Sequence, residues 1–197
     1  GTTIQLLDTQ YRMHEAIAGF SNKWFYEGLM KTPQRGSDSS FHLTFIDTAG
    51  AGYFEERREN GVSFYNRGEL NIAKELLDKS ELSTIDTAFI SPYAAQVGIA
   101  NDLLSSRGVR TSTIDGFQGQ EMENIIISLV RSNDEGAIGF LKDYRRMNVA
   151  MTRAKEQLFI IGDSSTIGSD SFYHELLSYI EAHGNYRSVW EFDVMLL

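Results

Sequence analysis

Short apolar runs alternate along this chain with segments in which apolar residues recur at helical spacing, and this alternation most restricts the folds it can adopt. The runs Ile125 to Val130 and Leu158 to Ile161 are too short to cross a bilayer and suit buried strands. Leu70, Ala73 and Leu77 recur every three or four residues, which is typical of a helix with one buried face. The pattern predicts an α/β fold with a mostly parallel central sheet.

The composition excludes several classes of protein. A chain of 197 residues can bury a core without a disulfide or a metal, and the absence of cysteine excludes a thiolate zinc site. Asp and Glu number 27 against 18 Lys and Arg, a net charge of −9, which is unlike a histone or a basic nucleic-acid tail. We expect one domain over residues 1–197, with an exposed insertion around 49–65, in a cytoplasmic protein that makes no membrane contact.

Local signals predict where several helices begin and end. Asn66 is a suitable N-cap, and Glu69 stands where the second half of a capping box belongs. Ser91, followed by a proline, fits the start of a helix that ends near Gly108. Another helix is predicted over residues 143–154.

The chain lacks the phosphate-binding loop that a complete nucleotide-hydrolysing domain would carry. That loop ends in Gly-Lys-Ser/Thr, and none of the seventeen glycines is followed by lysine. Asp134 and Glu135 resemble an acidic magnesium pair, but they lie in a polar stretch several residues beyond the apolar run, so we interpret them as a solvated turn. We predict no metal site within this chain.

Three segments combine charged side chains with aromatics and glycines at the ends of predicted strands. They are Gln10-Tyr11-Arg12-Met13-His14, the stretch from Thr113 to Glu121, and the stretch from Asn148 to Lys155. Open α/β sheets bind ligands just beyond the carboxyl ends of their strands, and we expect the segments to lie there.

In this order and spacing, the three segments resemble those of the second RecA-like domain of superfamily 1 helicases, in the branch of the nonsense-mediated-decay helicase. The resemblance covers nearly the whole chain. It implies a RecA-like three-layer sandwich with a mostly parallel central sheet, of the P-loop NTPase type but lacking its own P-loop. One departure is Glu15, where the family usually has proline. Because both residues suit the first turn of a helix, we expect little functional cost.

The resemblance implies a role for several residues in binding and hydrolysing ATP. Arg12 and Arg153 would be catalytic, since a guanidinium can neutralise the charge that builds on a transferring phosphate, worth roughly 10³ to 10⁵ in rate. Tyr11 would stack on the adenine, Glu121 would accept hydrogen bonds from the ribose, and Gln118 and Gly119 would complete the cofactor-binding set. Ordinary structural roles remain open for these residues: an arginine paired with a carboxylate, a half-buried aromatic and a surface glutamate.

The resemblance also implies contacts with single-stranded DNA or RNA through Ser91, Tyr93 and Thr113. Their hydroxyls suit phosphate oxygens, and the ring of Tyr93 suits a base, although hydroxyls at strand ends are also common caps. The partner domain would be the N-terminal RecA-like domain of the same polypeptide, which would supply the P-loop and hold most of the Mg²⁺.

Two other functions compete with an ATP-dependent helicase or translocase. The first is a non-catalytic RecA-like module that binds nucleic acid or protein, which would not need both arginines and Glu121. The second is an unrelated doubly wound domain for a small molecule or dinucleotide, which predicts a glycine fingerprint that residues 8–13 do not contain.

Overall fold

The computed structural model describes residues 13–25, 42–79 and 82–192. Within them the helices are α1 (Glu15–Phe25), α2 (Arg67–Asp78), α3 (Ala94–Leu104), α4 (Tyr144–Met151), α5 (Ser164–Ile167) and α6 (Ser171–His183). The strands are β1 (Leu43–Asp47), β2 (Glu56–Arg57), β3 (Phe64–Tyr65), β4 (Thr87–Ser91), β5 (Arg110–Thr113), β6 (Met122–Ser128), β7 (Ala154–Gly162) and β8 (Asn185–Ser188).

Six of these strands form a parallel sheet in the order β5-β4-β6-β7-β1-β8. Its middle strands consist of the apolar runs found in the sequence, and Ile125, Ile126 and Ile127 of β6 have no solvent exposure. Strands buried on both faces are continuous hydrophobic runs rather than alternating ones. The prediction of a parallel-sheet α/β fold is confirmed.

Helices cover both faces of the sheet and give the predicted three layers. On one face α1, α4 and α6 bury apolar side chains such as Phe20, Met147 and Phe172 against the strands. On the other face α2 and α3 do the same with Leu76 and Leu104. None of the described helices is long and apolar enough to span a membrane.

Helix α3 begins later than the sequence predicts. Ser91 is the last residue of β4, and the N-cap of α3 is Tyr93. The Ser91 hydroxyl accepts a hydrogen bond from the Tyr93 N–H at 3.3 Å, so it caps the turn before the helix rather than the helix itself. The far end is as predicted, because Gly108 ends the segment at a φ of 82°, where glycine is favoured.

The predicted capping box at α2 is half right. The Asn66 side chain accepts a hydrogen bond from the N–H of Glu69 at 3.1 Å, as an N-cap should. The side chain of Glu69 does not return to Asn66, whose N–H donates to Gln96 Oε1 at 2.9 Å. Glu69 turns inward instead.

Residues 49–65 contain the short antiparallel hairpin of β2 and β3. Most of the segment is exposed or half-buried, as expected of an insertion. One part is anchored, because Glu55 is only about a tenth exposed and pairs with Arg131. Strand β8 was not predicted, since Asn-Tyr-Arg-Ser has no apolar run.

Candidate functional site

The residues singled out in the sequence lie at both edges of the parallel sheet, not at its carboxyl edge alone. Thr113 ends β5, whereas Glu121 precedes β6 and Arg153 precedes β7. A chain that joins parallel strands must return to the amino edge before each new strand, so residues just before a strand lie at that edge. The expectation that all three segments lie beyond carboxyl ends is therefore wrong for Glu121 and Arg153.

Arg153 links the end of helix α4 to the start of the central strands. Its carbonyl accepts a hydrogen bond from the Met122 N–H at 3.1 Å, which joins it to β6. Its guanidinium Nε donates to the carbonyl of Val149 at 3.1 Å, within the last turns of α4. The side chain is half-buried, and its bond to Val149 holds the guanidinium against α4.

Glu121 lies beside Lys155 at the same edge. The Lys155 ammonium is 3.3 Å from Glu121 Oε1 and 3.8 Å from Glu123 Oε1. Met122 and Ala154 are paired in the register of β6 and β7, which brings Glu121 and Arg153 to neighbouring chain positions. The end of the segment from Thr113 to Glu121 therefore meets the end of the segment from Asn148 to Lys155 at the amino edge.

Tyr11 and Arg12 lie outside the described residues, but the chain that follows them reaches the same edge. The N–H of His14 donates to the carbonyl of Lys155 at 2.9 Å. The His14 ring stacks on His42 with centroids 3.5 Å apart, and His42 Nδ1 is 2.8 Å from the carbonyl of Glu156. These contacts attach the start of α1 to the first residues of β7.

The turn before β6 contains two glycines. Gly119 has a φ of 78°, a left-handed conformation that glycine adopts at little cost. A Cβ on Gly116 would lie 2.7 Å from Ser112 Oγ, so a larger residue there would displace the Ser112 side chain. Gln118 is exposed and lines a pocket of about 220 Å³ together with Arg145 and Arg146 on α4.

Ser91 and Tyr93 are enclosed by protein at the carboxyl edge. The Ser91 hydroxyl donates to the carbonyl of Ser128 at 2.9 Å, and the side chain has no solvent exposure. Tyr93 is 2% exposed, and burial raises the pKa of its hydroxyl. Thr113 is half-buried and its hydroxyl accepts from the Gly116 N–H at 3.2 Å. In this structure Ser91 and Tyr93 support the edge rather than forming its outer surface.

A buried carboxyl group beneath the carboxyl edge was not recognised in the sequence. Glu69 Oε1 accepts hydrogen bonds from Ser128 Oγ at 2.8 Å and from the Val130 N–H at 3.0 Å, and burial raises the pKa of Glu69 to about 8. A signal was present, since Glu69 shares one helix face with Ile72, Ala73 and Leu76.

Val130 occupies a strained conformation above this carboxyl group. Its φ is 70°, a left-handed value that is unusual for a β-branched residue. Its N–H is held by Glu69, and its carbonyl accepts a hydrogen bond from Asn66 Nδ2 at 3.0 Å. Two hydrogen bonds from α2 and its cap therefore fix the turn that leads out of β6.

Arg131 follows this turn and is almost fully buried. Its guanidinium pairs with Glu55, lies 4.3 Å above the ring of Phe64 and is 3.3 Å from the Tyr93 hydroxyl. The adjacent Asn133 side chain also binds Glu55. These contacts tie the hairpin segment to the carboxyl edge.

Asp134 and Glu135 form a solvent-exposed turn, as predicted. The Asn133 side chain accepts hydrogen bonds from the N–H groups of Glu135 and Ala137, at 3.2 and 2.9 Å, which closes the turn. Within residues 13–25, 42–79 and 82–192, no three His, Asp or Glu side chains are grouped to hold a metal ion.

Comparisons with known proteins identify the family. The family model for an AAA domain matches residues 1–165. The DNA-binding protein SMUBP-2 of Rattus norvegicus is 35% identical over 208 residues, covering 96% of this chain and 21% of the rat protein. The regulator of nonsense transcripts 1 of Dictyostelium discoideum is 32% identical over 198 residues, covering 89% of this chain and 15% of that protein.

A solved structure supports the fold. The C-terminal domain of a possible DNA helicase from Lactobacillus plantarum WCFS1 has a TM-score of 0.50 and 15% identity, covering 91% of this chain and 98% of that one. The chain spans about a fifth or less of the length of the two relatives named above. It belongs to the AAA domain family, as the C-terminal RecA-like domain of a superfamily 1 helicase in the branch of the nonsense-mediated-decay helicases.

Proposed function

We propose that this chain is the second motor domain of an ATP-dependent helicase or translocase that acts on single-stranded DNA or RNA in the cytoplasm. It completes an ATP site whose other half belongs to the N-terminal RecA-like domain of the same polypeptide. Relatives that carry helicase names, and that are several times longer than this chain, support the proposal.

The contact between Arg153 and the start of β6 is the observation that carries this function. It joins the predicted arginine finger to the strand that follows Glu121, through a hydrogen bond of 3.1 Å between the Arg153 carbonyl and the Met122 N–H. Two segments that are more than thirty residues apart in sequence thus contribute to one edge. Arg153 and Glu121 thereby flank the paired residues Met122 and Ala154 at the start of two neighbouring central strands.

Arg153, together with Arg12, stabilises the negative charge that develops during phosphoryl transfer. A guanidinium is always charged and presents a planar set of donors that matches phosphate oxygens. The bond from Arg153 Nε to the carbonyl of Val149 attaches the guanidinium to the last turns of α4. When bound, ATP supplies the phosphoryl group whose hydrolysis drives the movement.

The remaining groups of the three segments orient the nucleotide. The Glu121 carboxylate accepts hydrogen bonds from the ribose hydroxyls, and Tyr11 stacks on the base, which tolerates any π-face. The left-handed turn at Gly119, next to Gln118, lets the backbone come close to the phosphates. Mg²⁺ is held mainly by the N-terminal domain, which carries the P-loop.

The carboxyl edge carries the nucleic acid, with Ser91, Tyr93 and Thr113 in the segments that form it. Closing and opening of the two domains around ATP changes which contacts the strand makes, and that difference couples hydrolysis to movement. The family resemblance implies travel from 5′ to 3′.

The Arg153→Ala variant of the full-length protein tests the proposal. We expect kcat for nucleic-acid-stimulated ATP hydrolysis to fall by roughly 10³ or more, while the Kd of a non-hydrolysable ATP analogue changes by less than about tenfold. Arg58→Ala, which removes an exposed arginine of the hairpin segment, is the matched control and should leave both values unchanged.

The isolated chain provides a second arm of the same experiment. Because the P-loop belongs to the other domain, the pure 197-residue chain should not turn over ATP. Normal hydrolysis by Arg153→Ala, or clear turnover by the isolated chain, would show that the split ATP site is wrong.

A further inference from the structure

An exposed aromatic ring lies on top of Tyr93 at the carboxyl edge. Phe140 is 60% exposed and its ring stacks on that of Tyr93, with centroids 5.4 Å apart and planes inclined by 24°. The outer face of Phe140 is therefore open to solvent, while its inner face is covered. Single exposed apolar side chains are common, so the surroundings of Phe140 carry the inference.

The ring beneath Phe140 is held rigidly. Tyr93 has a hydroxyl bonded to the carbonyl of Ile138 at 3.4 Å and approached by Arg131 Nη1 at 3.3 Å. Phe64 packs edge-on against Tyr93, with centroids 5.9 Å apart. An exposed ring with such support keeps one orientation and loses little entropy when a flat ligand stacks on it.

Gly139 allows this stack to form. Its φ is 49°, and a Cβ at this position would overlap the guanidinium of Arg131 and lie 3.1 Å from the Tyr93 hydroxyl. The backbone before Phe140 can therefore approach Tyr93 closely only with glycine at position 139. Glycine at position 139 thus allows the Phe140 ring to stack on Tyr93.

Three cations follow the ring within six residues of the sequence, in a chain whose net charge is −9. Residues 139–146 contain three exposed cations, Lys142, Arg145 and Arg146, and a single carboxylate, Asp143. Arg146 Nε lies 3.2 Å from Asp115 and 3.6 Å from Asp143, which places it at the end of β5 close to Thr113 and pairs it with two exposed carboxylates. An aromatic ring beside clustered cations is the combination that binds a base and its phosphates.

We propose that Phe140 is a stacking platform for one base of a single strand, with Lys142, Arg145 and Arg146 binding the adjacent phosphates. This inference rests on the proposed function and names residues for its nucleic-acid edge. It also gives Tyr93 its role: the tyrosine does not touch the base but holds the ring that does. Stacking tolerates any base, as a motor that moves along a strand requires.

Fluorescence anisotropy with labelled single strands of about twelve nucleotides tests the platform in the full-length helicase. DNA and RNA oligonucleotides of the same sequence are measured separately. Phe140→Ala should weaken binding by about 5- to 150-fold, the usual effect of losing one stacked base. Phe140→Trp should retain binding and show tryptophan quenching by the oligonucleotide beyond that of the unaltered protein.

An oligonucleotide with abasic positions separates stacking from phosphate contacts. It should bind the unaltered protein more weakly than the complete oligonucleotide does. Phe140→Ala should weaken its binding little further, because the abasic strand has no base to stack on the ring. Arg145→Ala and Arg146→Ala should each reduce the slope of log Kd against log salt by about 1. Lys74→Ala, an exposed cation of α2, is the control for charge, and Trp190→Ala is the control for an exposed aromatic ring.

The outcomes distinguish this inference from the proposed function. If the helicase binds single strands and Phe140→Ala binds them equally well, the platform is wrong while the motor assignment stands. If Phe140→Ala instead weakens association with a separately made N-terminal domain, the ring belongs to the contact between domains and the inference is overturned. If the full-length protein binds no single strand, the proposed function fails as well.

Discussion

The backbone N–H of Val130 donates a hydrogen bond to the buried carboxyl group of Glu69, with the nitrogen 3.0 Å from Oε1. Glu69 belongs to helix α2 and is fully buried, and Val130 is strained at a φ of 70°. The hydrogen bond thus joins a helix on one face of the sheet to the turn that begins the loop of Arg131 and Phe140. It makes the shape of the carboxyl edge depend on a titratable group in the core.

The first prediction concerns the effect of pH on this group. Burial raises the pKa of Glu69 to about 8, from an ordinary value of 4.5, so the folded state retains a proton that the unfolded state releases. The stabilising effect of that proton is complete below pH 4.5 and is lost as the pH rises through about 8. Glu69→Gln, which is neutral at every pH, should remove this dependence.

Denaturant unfolding at several pH values measures the effect. The free energy of unfolding of the unaltered chain, relative to that of Glu69→Gln, should fall as the pH rises, by at most about 1.4 kcal/mol per pH unit. Glu175→Gln, at an exposed position of α6, is the control. A constant difference between the unaltered chain and Glu69→Gln from pH 5 to pH 8 would show that Glu69 does not titrate in this way.

The second prediction compares two glycines. Gly139→Ala places a side chain at a φ of 49° and against Arg131 and Tyr93, and should destabilise the chain by about 1 to 3 kcal/mol. Gly98→Ala lies in helix α3 with open space around it and should stabilise the chain by up to about 1 kcal/mol. Urea unfolding of both variants checks the opposite signs, and a neutral Gly139→Ala would mean that the loop is not held as described.

The third prediction concerns the buried ion pair between Arg131 and Glu55. Their side chains are 9% and 10% exposed, so removing one leaves a charge without its partner in a poorly solvated place. Arg131→Met should lower the free energy of unfolding by about 3 to 5 kcal/mol. Lys74→Met, which breaks an exposed pair with Asp78, should cost less than about 1 kcal/mol. Equal effects of the two changes in thermal unfolding would contradict the burial of the Arg131 pair.

The fourth prediction tests the role of Lys155 as a positioning residue for Glu121. The ion pair of 3.3 Å is partly exposed, so its loss should be modest. In the full-length helicase, Lys155→Met should raise KM for ATP by about two- to fivefold and leave kcat nearly unchanged. With 2′,3′-dideoxyATP, which lacks the ribose hydroxyls, the variant should show no such penalty. A similar penalty with both nucleotides would mean that Lys155 acts on something other than ribose binding.

Much of the fold could be predicted because it depends on local patterns. The apolar runs of β6 and β7 are long enough to identify buried parallel strands, and Gly108 marks the end of its helical segment through its backbone freedom. Strand β8 could not be found, since its residues Asn185 to Ser188 are all half-buried and pair only along one side with β1. An edge strand of this kind is defined by its neighbour, not by its own sequence.

The candidate site could be predicted only in part, because the edge at which a motif lies is a property of the topology. The sequence identifies Arg153 and Glu121 as candidate site residues. Their position at the amino edge follows from the register of β6 and β7, which the sequence does not reveal. The spacing of Asn66 and Glu69 predicts that Glu69 is part of a capping box. Its inward orientation depends instead on the donors of Ser128 and Val130, about sixty residues away in the sequence.

Strand β6 begins next to Glu121 and ends two residues before Val130, and its last five residues are buried. Seven extended residues span on the order of 20 Å, so the length of β6 separates the proposed nucleotide edge from the proposed nucleic-acid edge. If the domain rotates as a rigid body about the middle of β6, the two ends of the strand move in opposite directions. A small displacement of the nucleotide edge is then accompanied by an opposite displacement of the nucleic-acid edge, and the sheet between them does not rearrange.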